Sequence, residues 1–189
     1  MNSILYFPLL ISALSIIPVF IIARKFGGNL AGIIAGLIFG LNTMFVSKTL
    51  FGHADTDAMV MFFPVFICWL FLLATESKKK ILTIILSALS GLLTGLYSFI
   101  WSGWWYIYDF ILITIVLIIF FSVFFYLREN KSIAGYIKKT SFKTILISIL
   151  FFTIFSGLIV SSSEGLMSFI RSPIKPLLFT QFKEAFFES

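Results

Sequence analysis

The chain has 189 residues, 60% of them hydrophobic and 12% charged, with a formal charge of +6 and a mean hydropathy of +1.09. That composition excludes a soluble domain, in which polar faces would recur at helix or strand period. It also argues against a nucleic-acid partner, because the basic residues lie in short breaks between apolar runs and not on one accessible surface.

The apolar runs are about twenty residues long, the length a helix needs to cross hydrocarbon, whereas barrel strands would be about ten and would alternate apolar with polar. The expected fold is therefore all-α: a polytopic helical membrane protein with the lipid bilayer as its first partner. Six spans are expected, at 3–23, 28–47, 58–75, 81–101, 104–126 and 143–161. The first turns back at Arg24-Lys25 and a glycine pair. The second ends in the acidic break around Asp55. Cys68 sits inside the third, where a small apolar role suits it and no internal disulfide is possible. Lys78 to Lys80, then Ser102-Gly103, then the basic stretch 127–142 separate the remaining spans. The stretch 164–189 carries Arg171, Lys175, Lys183, Glu184 and Glu188 among apolar residues and two prolines, so an interfacial or partly inserted segment is expected. No repeat or linker divides the chain, and 1–189 reads as a single transmembrane domain.

Lys and Arg alternate between breaks. Arg24 and Lys25 mark the first, Lys78 to Lys80 the third, and Arg128, Lys131, Lys138, Lys139 and Lys143 the fifth; the second has Lys48 alone and the fourth none. By the positive-inside rule the odd breaks are cytoplasmic. The segments G-H-A-D-T-D, W-S-G-W-W and S-S-S-E-G then share the opposite side. The N-terminus is external too, without a basic stretch ahead of the first span, so a further span upstream is expected.

Asp55 and Asp57 flank Thr56 before the third span. Two residues apart, they converge on one point only where the backbone is extended or turning. A divalent cation that favours oxygen, Mg²⁺ or Mn²⁺, would relieve their repulsion and could hold a diphosphate. The other reading is helix capping at the positive end of the dipole. His53 fits a solvated loop position. Trp101, Trp104 and Trp105 lie with Tyr106 and Tyr108 around Gly103, as an interfacial belt or as a wall for a polyprenyl chain or sugar. Asp109 falls a few residues inside the fifth span, where ionisable groups face a cavity or partner unless they snorkel to the surface. Glu164 closes the sixth span, where an exposed carboxylate costs little.

In order along the chain, P-V-F-I-I-A-R-K-F-G-G-N-L-A-G (18–32), F-G-H-A-D-T-D-A-M-V-M-F-F-P (51–64), G-L-L-T-G-L-Y-S-F-I-W-S-G-W-W-Y (91–106) and S-S-E-G-L-M (162–167) resemble the catalytic subunit of oligosaccharyltransferase, its archaeal form most closely. The resemblance implies a glycosyltransferase that moves a polyprenyl (dolichyl)-linked oligosaccharide onto the asparagine of an acceptor sequon, outside the cell membrane. It implies that Asp55 is a ligand of the catalytic metal and that Asp57 is a second ligand or its support. It assigns nothing to His53. Trp101, Trp104, Trp105, Asp109 and Glu164 are carried as substrate-binding candidates.

The family's first span, its first external aspartate loop, a later external glutamate, its last spans and its soluble domain have no counterpart here. Glu164 comes one external loop too early to be that glutamate. An internal piece of the family's membrane domain is expected, incomplete alone. The alternatives are another polyprenyl-phosphate-sugar glycosyltransferase, or a cation-coupled transporter component using Asp109 and the Asp55 loop; the paired broken segments of a transporter are not visible.

Overall fold

In the computed structural model of the chain, residues 3–42, 57–128 and 140–174 are described, with the side chains of 3–9, 57 and 140 not among them. The regular elements are α1 (Ser3–Gly40), α2 (Asp57–Glu76), α3 (Lys80–Ser98), α4 (Trp105–Arg128), α5 (Thr140–Glu164) and α6 (Leu166–Arg171). Five of these helices are long and apolar enough to cross a membrane, so the chain is an all-α, multi-pass membrane protein. They pack as two compact units, 1–73 and 74–189.

In the first unit, α1 is 38 residues long, about 57 Å at 1.5 Å per residue, nearly twice the hydrocarbon thickness. It is not one rod. Gly28 has φ 77 and ψ −173, a backbone region open almost only to glycine. A Cβ there would meet nothing within 4 Å, so the demand is torsional and not steric. The two arms run back along one another: a Cβ at Gly32 would come within 3.0 Å of Phe20 and Arg24, and one at Gly40 within 3.0 Å of Ile16. Gly32, Gly36 and Gly40, four residues apart, form the flat strip that permits this approach. An open apolar groove of about 600 Å³ follows the seam past Ile16, Phe20, Ile33 and Gly36. The first two expected spans are thus the two arms of α1, and the expected continuation to residue 47 lies outside the described residues. The third is α2, which continues through Pro64 and sets Phe62 tilted against Phe66, which meets Trp69 edge-on, along one face.

In the second unit, α3 and α5 form the closest pair. The buried face of α3 is Thr83, Ser87, Ser90, Gly91, Thr94, Gly95 and Tyr97. A Cβ on Gly91 would strike the Phe152 carbonyl and come within 3.1 Å of the Ser156 amide, and one on Gly95 would strike Ile159. Ser98 Oγ lies 3.2 Å from Ser163 Oγ. Contacts therefore advance together along both helices, which run parallel. The hydroxyls that line the seam bond back to their own helices: Ser87 to the Thr83 carbonyl at 2.6 Å, Thr94 to Ser90 at 3.0 Å, Ser148 to Thr144 at 2.9 Å and Ser156 to Phe152 at 2.8 Å. Satisfied in this way, they can be buried where no water reaches them. Helix α4 packs through Ile107, Tyr108, Ile111 and Ile115 and exposes Phe110, Ile113, Val116, Phe120 and Phe124, an apolar face suited to lipid.

The remaining spans agree with expectation except at their ends. Helix α3 stops at Ser98, three residues before the expected limit, where Ser98 Oγ donates to the Gly95 carbonyl at 2.7 Å. Helix α5 runs three residues further, to Glu164, because Ser162 and Ser163 donate to the carbonyls of Ile159 and Val160 at 2.7 and 3.0 Å. Gly165, at φ 88 and ψ 152, breaks the helix and α6 follows.

Candidate functional site

The end of the second unit where α3 stops, α4 starts and α5 stops gathers most of the polar and aromatic candidates. Its centre is Trp104, which is fully buried. The Trp104 indole Nε1 donates to Glu164 Oε1 at 2.7 Å, and Ser168 Oγ donates to Glu164 Oε2 at 2.8 Å. Both carboxylate oxygens are thereby engaged, one by the break after α3 and the other by α6. Hydrogen bonds to a charged acceptor are short and about twice as strong as neutral ones.

Rings close the space below. Phe169 stacks on Trp104 with centroids 6.2 Å apart and planes at 12°, Tyr108 meets Phe169 edge-on at 5.2 Å, and Tyr108 stacks on Phe152 of α5 at 5.6 Å. A Cβ at Gly157 would lie 2.8 Å from Phe169, so the glycine leaves room for that ring. A second aromatic group faces outward: Trp101 is 40% exposed and meets Tyr106 edge-on at 5.4 Å, with Tyr97 beneath it at 5.9 Å. Gly103 lies under the Trp101 ring, which would collide with any Cβ at that position.

The three tryptophans of one short break thus have three different surroundings. Trp104 is interior, Trp101 presents a ring face outward, and Trp105 is half-buried with its ring nitrogen buried and without an acceptor among the described residues. One turn along α4 from Trp105 is Asp109, 7% exposed, so both lie on one helical face. Asp109 is a buried residue of α4, not one that snorkels to the surface.

Asp55 and His53 lie outside the described residues. Asp57 is the first residue of α2. Among the described residues no group of three or more His, Cys, Asp or Glu side chains could hold a metal ion. Ser168, Phe169 and Tyr97 belong to this cluster without having been expected from the sequence. The Trp104 and Glu164 partners are 60 positions apart, and only the parallel packing of α3 with α5 brings their segments together.

The family model described as oligosaccharyl transferase STT3, N-terminal, matches residues 1–186. The chain belongs to that family. Two curated STT3-like relatives, each named undecaprenyl-diphosphooligosaccharide–protein glycotransferase, come from Campylobacter jejuni subsp. jejuni serotype O:2 and C. jejuni strain RM1221; each is 30% identical over 82 residues. The aligned stretch covers 43% of this STT3-family chain and 11% of either relative. No solved structure matches it.

Proposed function

We propose that the chain is the part of a membrane glycosyltransferase that moves a polyprenyl-diphosphate-linked oligosaccharide onto asparagine of an acceptor protein, and that it needs the rest of such an enzyme to act. The observation that carries this reading is the STT3 match over residues 1–186, with the D-T-D motif at 55–57 in the same order along the chain as the other resembling segments. Family membership favours it over a cation-coupled transporter and over other polyprenyl-phosphate-sugar glycosyltransferases.

In this reading Asp55 and Asp57 supply oxygen ligands of the kind that Mg²⁺ and Mn²⁺ prefer. Such a cation, when bound, would neutralise the charge that develops on a departing diphosphate. The bond between the anomeric carbon and the diphosphate oxygen breaks, a carbon–nitrogen bond forms to the asparagine amide, and that nitrogen gives up a proton to a base. Trp101 and Tyr106 offer outward ring faces to the polyprenyl chain or to sugar. Trp104 and Glu164 brace the region. The charge alternation assigns the end of the second unit with Trp101 and Glu164 to the extracytoplasmic side of the cell membrane.

The test uses native membranes that contain the protein, a lipid-linked oligosaccharide extract and a peptide bearing an Asn sequon. Asp55→Ala is expected to lower glycopeptide formation more than about 100-fold, beyond the loss from removing an outer-shell partner. Undiminished product would rule out the metal role of Asp55.

A further inference from the structure

The groove along the α1 hairpin is apolar on both walls and ends beside a cation. Ile17 and Phe20 line one wall and Ile33 and Leu37 the other, with the Gly36 backbone close to Ile16 at the floor. Spacings of three and four residues put each pair on one helical face. Ile17, Ile33 and Leu37 are 50%, 50% and 56% exposed, so the groove is open on its outer side. A helical side chain leans over the turn that precedes it, and Arg24 leans back over Phe20: its guanidinium carbon lies 6.0 Å from the centroid of that ring, within reach of a cation–π contact. The guanidinium is thereby held at the end of the groove, on the residue that forms its wall. Arg24 and the next residue, Lys25, are both exposed.

We infer that this groove binds an anionic phospholipid, its phosphate on Arg24 and one acyl chain between the two arms of α1. Charge complementarity identifies the occupant. The walls accept only hydrocarbon, whereas a guanidinium is a donor fork that matches phosphate bidentately. A lipid has both parts, joined at the depth where a turn between two spans meets the headgroups. An apolar helix laid in the groove would cover the walls and leave Arg24 without an acid. A zwitterionic lipid has the phosphate but also a quaternary cation, which Arg24 and Lys25 repel. Basic pockets between membrane helices select anionic headgroups in this way. The site lies within the first unit and uses no residue assigned to glycosyl transfer, so it stands apart from that reading.

The experiment titrates the full chain in dodecyl maltoside with dioleoyl phosphatidylglycerol or dioleoyl phosphatidylcholine and follows the first lipid adduct by native mass spectrometry. Phosphatidylglycerol is expected to bind at least about fivefold more tightly, the contribution of one basic residue at an anionic headgroup. Arg24→Gln is expected to bring the two lipids within about twofold of one another. Ile33→Trp, at an exposed position, fills the groove beside Phe20 and is expected to weaken phosphatidylglycerol about tenfold with Arg24 in place, as for two methylenes displaced from the walls. Lys78→Gln, exposed in the second unit, should change nothing. Equal affinity for the two lipids overturns the inference, as does a preference that survives Arg24→Gln. A loss as large with Lys78→Gln also overturns it, because diffuse charge would then be the cause. Displacement of the lipid by excess glycerol 3-phosphate would mean that the cation binds alone and the groove is idle. A dimer of the chain in place of the adduct, blocked by Ile33→Trp, would make a second copy the occupant and refute the lipid site.

Discussion

The hairpin of α1 and the α3–α5 pair solve the same problem in different ways. Both bring two helices close together where lipid removes most of the hydrophobic drive, so small residues must permit the approach. In the hairpin the partners are neighbours in sequence, run antiparallel and meet where Ile16 and Phe20 lie on the glycine strip. Its strictest requirement is the backbone at Gly28. In the α3–α5 pair a whole span intervenes, the helices run parallel, and Gly91 lies directly against the backbone of Phe152 and Ser156. There the strictest requirement is space. Glycine thus serves torsion in one unit and close packing in the other.

The largest expected effect breaks the second of these. Gly91→Val would force two backbones apart, and overpacking of this kind costs 1–3 kcal/mol, occasionally more; about 3 kcal/mol should be lost, read from denaturant unfolding in detergent micelles followed by tryptophan emission. A loss under about 1 kcal/mol would show that α3 and α5 are not so close. Gly28→Ala comes next, at about 1–3 kcal/mol for a strained torsion. Its signature is indifference to size: Gly28→Leu should cost the same within error, because nothing lies within 4 Å of a Cβ there. A cost that grew with side-chain volume would contradict the torsional origin. Ser156→Ala is the smallest. Its hydroxyl bonds to the carbonyl four residues back at 2.8 Å, and hydroxyl bonds in membranes average about 0.6 kcal/mol, so micellar unfolding should shift by no more than that. A larger shift would mean the serine bonds across the seam.

Span positions were legible because hydropathy is a local sum. α2 and α4 begin and end within two residues of expectation, and the turn at Gly27-Gly28 is marked by its own residues. The ends of α3 and α5 were less legible: hydropathy carried α3 through Ser98 to Trp101, whereas the helix ends at Ser98, and it read the serines after Val160 as a stop, whereas Ser162 and Ser163 bond to carbonyls of their own helix and α5 continues to Glu164. Of the candidate site, the sequence marked Trp104 and Glu164 singly but carried no sign that they are partners. It grouped Trp101, Trp104 and Trp105 as one aromatic feature, which the fold separates into an outward ring, a buried brace and a half-buried donor.

The amino-acid sequence by itself therefore determined a multi-pass helical protein, where the chain crosses or turns, and which stretches carry acids and aromatics. Tertiary structure alone decided that α3 pairs with α5 and that Glu164 joins the break after α3 to α6. The reason is physical. Lipid accepts almost any apolar residue, so crossing depends on composition summed along the chain. Pairing depends on the fit of two surfaces at atomic contact, and residues 60 apart carry no local mark of that fit.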